Sequence, residues 1–158
     1  MTASKQQRNS AASLEAVLHQ SIPASEILQL QVTELSDRFI TIKAPVEGPN
    51  INIHGTGFAG SIYVVCALSA WGLTYNRLDL EDIDVDLVIA KAEISYMRPI
   101  TGEIEARCSV DDSLYQKFIS EIEQKGRASI EAQVEAISGD TVKARLKARL
   151  VAIKRSCN

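Results

Sequence analysis

Cysteine, histidine and surplus basic charge are all scarce in this chain of 158 residues. Its three cysteines, Cys66, Cys108 and Cys157, form an odd set with neither CxxC nor Cys/His spacing. That argues against a disulfide framework and against a zinc site, so no metal is expected. The net charge of -3 comes with both signs mixed along the chain, leaving no broad basic face for a phosphate backbone. Nucleic acid is therefore not an expected partner. Met1 to Ser10 is polar and lacks the apolar stretch of a secretory signal, which points to a cytoplasmic location and to a flexible N-terminus over about residues 1–10. The one long uncharged apolar run, Phe58 to Leu73, falls short of the ~20 residues that span a bilayer and is broken by Gly60, Ser61, Ser69 and Gly72. It reads as a buried helix, and no membrane partner is expected. No GxxxxGK[ST] loop occurs, so a mononucleotide site of that type is unsupported.

What is present suits a single domain over residues 1–158, since 46% apolar content can build a substantial core. Ala11 to His19 carries Leu14, Val17 and Leu18 and stops before Pro23, which predicts a short amphipathic helix. Ile27 to Leu35 and Phe39 to Ala44 alternate in part, with Leu28, Leu30 and Val32 facing Ile40 and Ile42 across a turn at Ser36-Asp37. Ala128 to Ala136 and Val142 to Ala152 alternate strictly, the pattern of strands with one wet face. Apolar residues share a face only in a register of even parity. A three-residue Ser138-Gly139-Asp140 loop then pairs Glu135 with Lys143 and Glu131 with Lys147. Similar reasoning folds Val85 to Met97 onto Glu103 to Val110 around Pro99-Ile100-Thr101-Gly102, with Glu93 against Arg107. Between these hairpins, Asp112 to Lys125 repeats Leu114, Phe118 and Ile122 every four residues, with Asp111 or Asp112 as cap and Gly126 as stop. Six antiparallel strands with one wet face each must bury the other. The element apolar on nearly all sides is the helix near Thr56 to Leu73, so the sheet is expected to curl around it, an α+β architecture.

One segment exceeds structural need. Asn52-Ile53-His54-Gly55-Thr56-Gly57-Phe58-Ala59-Gly60-Ser61 packs polar side chains and three glycines into the approach to that helix. Glycines let another group come close to the backbone, and the amides of a helix start can bind an anion or a carbonyl oxygen gaining charge. A helix capped by Thr56 behind a tight glycine turn accounts for the same residues. His54, with an ordinary pKa of ~6.5, could act as a base. Asn52 could orient water or hold a turn, and Ser61 could contact substrate or act as a cap. Tyr63, Cys66 and Trp71 fall on the helix body and are expected to pack in a core or interface.

The pattern Asn-x-x-Gly-Thr-x-Phe-Ala-Gly-Ser from Asn52 to Ser61 resembles the putative thioesterase family of hotdog proteins. So do the Trp71-Gly72 pair and the strand end Ile94-Ser95-Tyr96-Met97-Arg98-Pro99, in the type also found as the C-terminal half of YiiD-like proteins. The similarity runs from about Leu14 to Ile153. It implies a hotdog fold, an antiparallel six-stranded sheet wrapped around a long central helix. It also implies hydrolysis of acyl-coenzyme A or acyl-carrier-protein thioesters at a site shared between subunits of a homodimer or tetramer. No separate cofactor is implied, since coenzyme A or phosphopantetheine arrives with the substrate. Related enzymes carry an Asp or Glu about two turns into the central helix. Here Ala67 occupies that place, and Thr56 to Asn76 contains no acidic residue. The expected catalytic residues are therefore Asn52, His54 and Ser61. Thr56, Gly57, Phe58, Ala59, Gly60 and Arg98 are expected to contact the substrate, Arg98 through the phosphates of its carrier. Rival expectations are an acyltransferase or hydratase on the same fold, or a binding module without catalysis, which the missing carboxylate favours.

Overall fold

Ser10 opens the first element by accepting the Ser13 N–H at 3.1 Å, the hydroxyl cap that a helix start needs. The computed structural model describes residues 10–155. The segment read as a flexible N-terminus thus lies outside the described residues except for Ser10, and Cys157 lies outside them too. In chain order the elements are α1 (Ala11–Ser21), α2 (Pro23–Ile27), β1 (Gln31–Leu35), β2 (Phe39–Pro45), a 3-10 turn (Gly48–Asn50), α3 (Ala59–Leu80), β3 (Val85–Tyr96), β4 (Glu103–Ser109), α4 (Asp112–Lys125), β5 (Arg127–Ser138) and β6 (Thr141–Lys154).

The strands form one six-stranded antiparallel sheet in the order β1-β2-β4-β5-β6-β3. Its inner face supplies Ile40, Ile42, Ile104, Ala106, Cys108, Val134, Leu146 and Leu150, all buried. Against them lies α3, buried on most of its circumference, with contacts to β2, β3, β4, β5 and β6. This is the expected hotdog arrangement of sheet around helix. Two of the polar groups that α3 takes inside are satisfied within the helix: Ser69 Oγ donates to the Val65 carbonyl at 2.8 Å and Thr74 Oγ1 to that of Ala70 at 3.0 Å. Gly72 allows the tight approach of α1, since a Cβ there would stand 3.3 Å from a Leu14 methyl and 3.4 Å from one of Ile40.

Several expectations need correction. The central helix starts at Ala59 and runs to Leu80, so Thr56 is not its cap, and the segment before β1 begins as the short helix α2 because Pro23 sets its first turn. In α4 the buried stripe is Tyr115, Phe118 and Ile122, while Leu114 is exposed. The β5–β6 connection is a two-residue turn at Gly139-Asp140, with Gly139 at φ +60°, and not a three-residue loop. That turn alone gives an odd register, and the bulge between Ala136 and Ile137 restores even parity, setting Glu135 against Arg145 and Glu131 against Arg149. Lys147 still reaches Glu131 diagonally at 3.0 Å.

The larger error concerns β3 and β4, which do not form a hairpin. β3 pairs with β6 at the edge, setting Glu93 against Lys147, while β4 sits between β2 and β5, setting Arg107 against Glu135. Complete burial of Ile104, Ala106 and Cys108 suits a strand flanked on both sides, whereas Leu87, Ile89 and Ile94 of β3 stay half-buried. The connecting chain crosses the ends of β6 and β5 on the way. Met97 and Arg98 N–H both donate to the Lys143 carbonyl, and Ser138 Oγ donates to the Thr101 carbonyl at 3.1 Å. That crossing carries Tyr96 and Ile100 to the start of α3.

Candidate active site

The chain between the 3-10 turn and α3 is tied to both of its neighbours by backbone bonds. Phe58 N–H donates to the Asn50 carbonyl and Gly57 N–H to the Ile100 carbonyl, both at 2.8 Å, while Ile51 and Gly57 form a β-bridge. Asn50 is completely buried, and its Nδ2 donates to the carbonyls of Leu28 and Pro45 at 2.8 and 2.9 Å. Sequence reading passed over Asn50 because nothing in its neighbours marks it. Within the loop, Asn52 Oδ1 accepts the N–H groups of His54 and Thr56 at 2.9 and 3.2 Å, and its Nδ2 donates to Thr56 Oγ1 and the Gly57 carbonyl at 2.9 and 3.1 Å. Gly55, at φ +73°, completes the turn with its N–H on the Asn52 carbonyl. The whole carboxamide of Asn52 is thus committed to shaping this turn, and Thr56 is part of the same cluster.

His54 projects from the turn into solvent, next to Ile53, which is 95% exposed. Its ring makes no hydrogen bond or ion pair among the described residues. Ser61, on the first turn of α3, is buried, and its hydroxyl reaches the Pro49 carbonyl only at 3.5 Å, a weak contact. Arg98 is exposed at the strand end, with no ion pair from its side chain among the described residues.

The start of α3 is where backbone donors collect. Phe58 occupies the cap position without capping, and Ile62 N–H is the first to find a helical carbonyl, that of Phe58 at 3.0 Å. Among the described residues, the amides of Ala59, Gly60 and Ser61 have no hydrogen-bond partner. By contrast, α1 and α4 are capped by Ser10 and Asp111. Gly60 was expected to admit an approaching group, and the group that occupies the space is internal. A Cβ on Gly60 would lie 2.5 Å from Cε1 of the half-exposed Phe58 ring, which folds back over the first turn. Across from it, the Tyr96 phenol donates to the Ala59 carbonyl at 2.8 Å. Burial pushes that phenol's pKa up, and Cys66 and Tyr63 add to the effect, so Tyr96 stays protonated and acts as a donor at neutral pH. Tyr96 was seen in the sequence only as part of a strand end, because its partner lies 37 residues away.

Two candidates for chemistry are removed by their surroundings. Burial raises the thiols of Cys66 and Cys108 to about 12, so neither supplies a thiolate near pH 7. Ala67 is buried beside them on α3, and the first acidic residue along that helix is Asp79. The run Gly55-Thr56-Gly57-Phe58-Ala59-Gly60 spells the GxGxxG of dinucleotide-binding loops, but here it follows a single bridge in an all-antiparallel sheet. The parallel strand-to-helix turn that gives that motif its meaning is missing.

This arrangement has relatives. Residues 11–154 match the family model described as "Putative thioesterase (yiiD_Cterm)". Among solved structures, one from Shewanella oneidensis, described as a putative thioesterase, is 30% identical with a TM-score of 0.80, over 90% of this chain and 96% of that one. A protein of unknown function from Chlorobaculum tepidum superimposes with a TM-score of 0.86 at 24% identity, over 92% of this chain and 94% of that one. A Pseudomonas aeruginosa protein described as a probable thioesterase gives 0.81 at 16% identity, over 92% and 97% of the two chains. The last two show the fold.

Proposed function

Because the chain belongs to the putative thioesterase family whose model covers residues 11–154, we propose that it hydrolyses acyl thioesters at the start of α3, with acyl-coenzyme A or an acyl carrier protein as substrate. The observation that carries the reading is the set of unpartnered amides at Ala59, Gly60 and Ser61. As water adds to the thioester carbon, the carbonyl oxygen gains charge, and preorganised N–H groups stabilise that charge more than the ground state. The thiolate then leaves and takes up a proton. His54 is the titratable side chain on the loop before the helix and takes the proton from water, while Asn52 holds the turn that presents it. Ser61 and Thr56 line the approach, with Gly57, Phe58 and Gly60 forming its wall, and Arg98 meets the carrier phosphates. Substrate brings coenzyme A or phosphopantetheine with it, and no further cofactor takes part.

The active unit in this reading is a homodimer, or a tetramer built from it. The two sheet edges are unlike. β1 is five residues long, and its Val32 N–H is covered by the Glu15 carboxylate at 2.8 Å. β3 runs for 12 residues, and among the described residues no side chain accepts from its N–H groups. An edge of that length, met by a side chain at the Leu87 carbonyl, where Trp71 Nε1 donates at 3.0 Å, and flanked by half-buried Val64 and Ile94, suits a second copy, and the acyl tail would lie along the same apolar flank.

Thiol release from acyl-coenzyme A and acyl-carrier-protein substrates of several lengths tests the assignment, with Asn52→Ala, His54→Ala and Ser61→Ala in parallel. We expect turnover by the wild type and a fall of ~10²-fold or more in His54→Ala, the scale of a lost general base. The buried Ala67 in place of a carboxylate favours a second reading, a module that binds acyl thioesters without cleaving them. Saturable binding with no thiol release on any substrate would establish that reading and sink the first.

A further inference from the structure

The peptide that joins Ala59 to Gly60 has two polar ends, and the structure treats them differently. Its carbonyl accepts the Tyr96 phenol at 2.8 Å. Its N–H, that of Gly60, has no partner among the described residues and stands in the middle of the three open amides. We infer that Tyr96 is a positioning residue for the thioesterase reaction, acting through the Ala59–Gly60 peptide to aim and strengthen the Gly60 N–H as the donor to the thioester oxygen. The inference rests on the hydrolase reading above.

Two physical effects support it. A hydrogen bond to an amide oxygen draws electron density toward that oxygen and leaves the N–H of the same amide more positive, the cooperativity that makes chained hydrogen bonds stronger than isolated ones. Geometry adds the second. The first turn of a helix is where peptide planes fray, and a phenol anchored on a strand fixes this plane relative to the sheet. Tyr96 is the last residue of β3, and the next two N–H groups are both held on the Lys143 carbonyl, so the phenol is delivered from a rigid end. Its ring is half exposed, so it buries little of itself to make the bond, and the hydroxyl is the part of the side chain with a specific partner.

Tyr96→Phe removes that hydroxyl and leaves the ring. Loss of an oxyanion donor outright costs ~10²- to 10³-fold in kcat, and weakening one through its peptide should cost less, about tenfold, with KM within a factor of two. The Gly60 amide proton should move upfield in the nitrogen-proton correlation spectrum, and the melting temperature should stay near that of the wild type. Replacing Tyr96 by 3,5-difluorotyrosine keeps the ring and makes the phenol a stronger donor. It should shift Gly60 the opposite way and raise kcat at pH values where the phenol is still protonated. A purely structural phenol would change stability and could move the Gly60 shift, but would leave kcat and the kcat-to-KM split alone. Unchanged kcat in folded Tyr96→Phe, with an active wild type, overturns the inference and leaves the hydrolase standing. A wild type that releases no thiol from any substrate removes both.

Discussion

Gly60 and Phe58 form a coupled pair at the mouth of the candidate site, because the ring lies where a Cβ would go. Gly60→Ala should push that half-exposed ring aside and cost about 0.5–1 kcal/mol in the wild type. In a Phe58→Ala background the same change should be neutral or gain up to ~1 kcal/mol from helix propensity. Urea denaturation of the four proteins of this cycle measures the coupling, and additive effects would mean that the ring does not rest on Gly60. A second residue-scale prediction concerns Glu105, which Lys43 and Arg107 hold. Partial burial pushes the Glu105 carboxyl up, but the hydrogen bonds from Lys43 and Arg107 outweigh it and the net shift is downward. On the other side, hydrogen bonds to Glu103 and then Glu105 raise the Lys43 pKa. A lowered carboxyl stabilises the fold above its unfolded pKa near 4.5 and loses that contribution as pH falls through the folded value. The raised ammonium stabilises below its unfolded pKa of 10.5 and loses it as pH rises through the folded value. Lys43→Met should therefore cost ~0.5–1 kcal/mol at pH 7 and progressively less as pH falls through the folded carboxyl's value, read from urea midpoints. The sequence exposed the residues of the site as a string, Asn52 to Ser61, because glycines and polar side chains before an apolar helix are a local signal. It could not show that the Asn52 carboxamide is spent on its own turn, nor that Tyr96 arrives from a distant strand, since both depend on three-dimensional closure.

Among the elements, α4 was the most legible, because cap and stop are local, although its stripe begins at Tyr115 and not at the expected Leu114. Asp111 accepts the Ser113 N–H at 2.8 Å, and Gly126 closes the helix at φ +70°. Its docking onto α3 was not legible. Arg77, buried near the end of α3, lies 3.7 Å over the Tyr115 ring and donates to Asp112 Oδ1 at 2.9 Å. Asp112 is 41% exposed and also pairs with Arg38, but Arg77 is buried, and leaving its guanidinium without the carboxylate costs more than removing both. Asp112→Ala should lower stability by about 2 kcal/mol, and adding Arg77→Met to it should recover part of that loss, as calorimetry of the single and double variants would show. A double variant weaker than Asp112→Ala would mean that Arg77 stabilises through the Tyr115 ring and not through the carboxylate. The β5–β6 strands show where pattern reading stops. Parity was fixed by side-chain alternation, but turn length was not, and a two-residue turn with a left-handed glycine fits strand twist better than the three-residue loop. For β3 the pattern could not name a neighbour at all. Alternation tells a strand which face is wet and is silent on whether β4 or β6 lies beside it.

At the scale of the molecule, the unequal edges predict the assembly. Ala90 lies at the bulge between Ile89 and Lys91, outside the β6 register, and is exposed. Ala90→Pro should therefore leave the β3–β6 ladder in place and obstruct a strand added from outside. Light scattering should give a dimer or tetramer for the wild type and a smaller species for the variant, and a wild-type monomer would remove the shared site. The place of β3 has one further consequence, in time instead of space. Among the described residues its only strand partner is β6, the last of their strands in chain order, and Val85 pairs with Lys154. At ~5–20 residues per second, β3 waits on the ribosome for several seconds with both edges open, beside a helix that α1 and β2 cover only in part. Pairing across so many residues also places the fold among slow folders. Newly made chains, more than finished ones, are thus the form of this protein most exposed to aggregation.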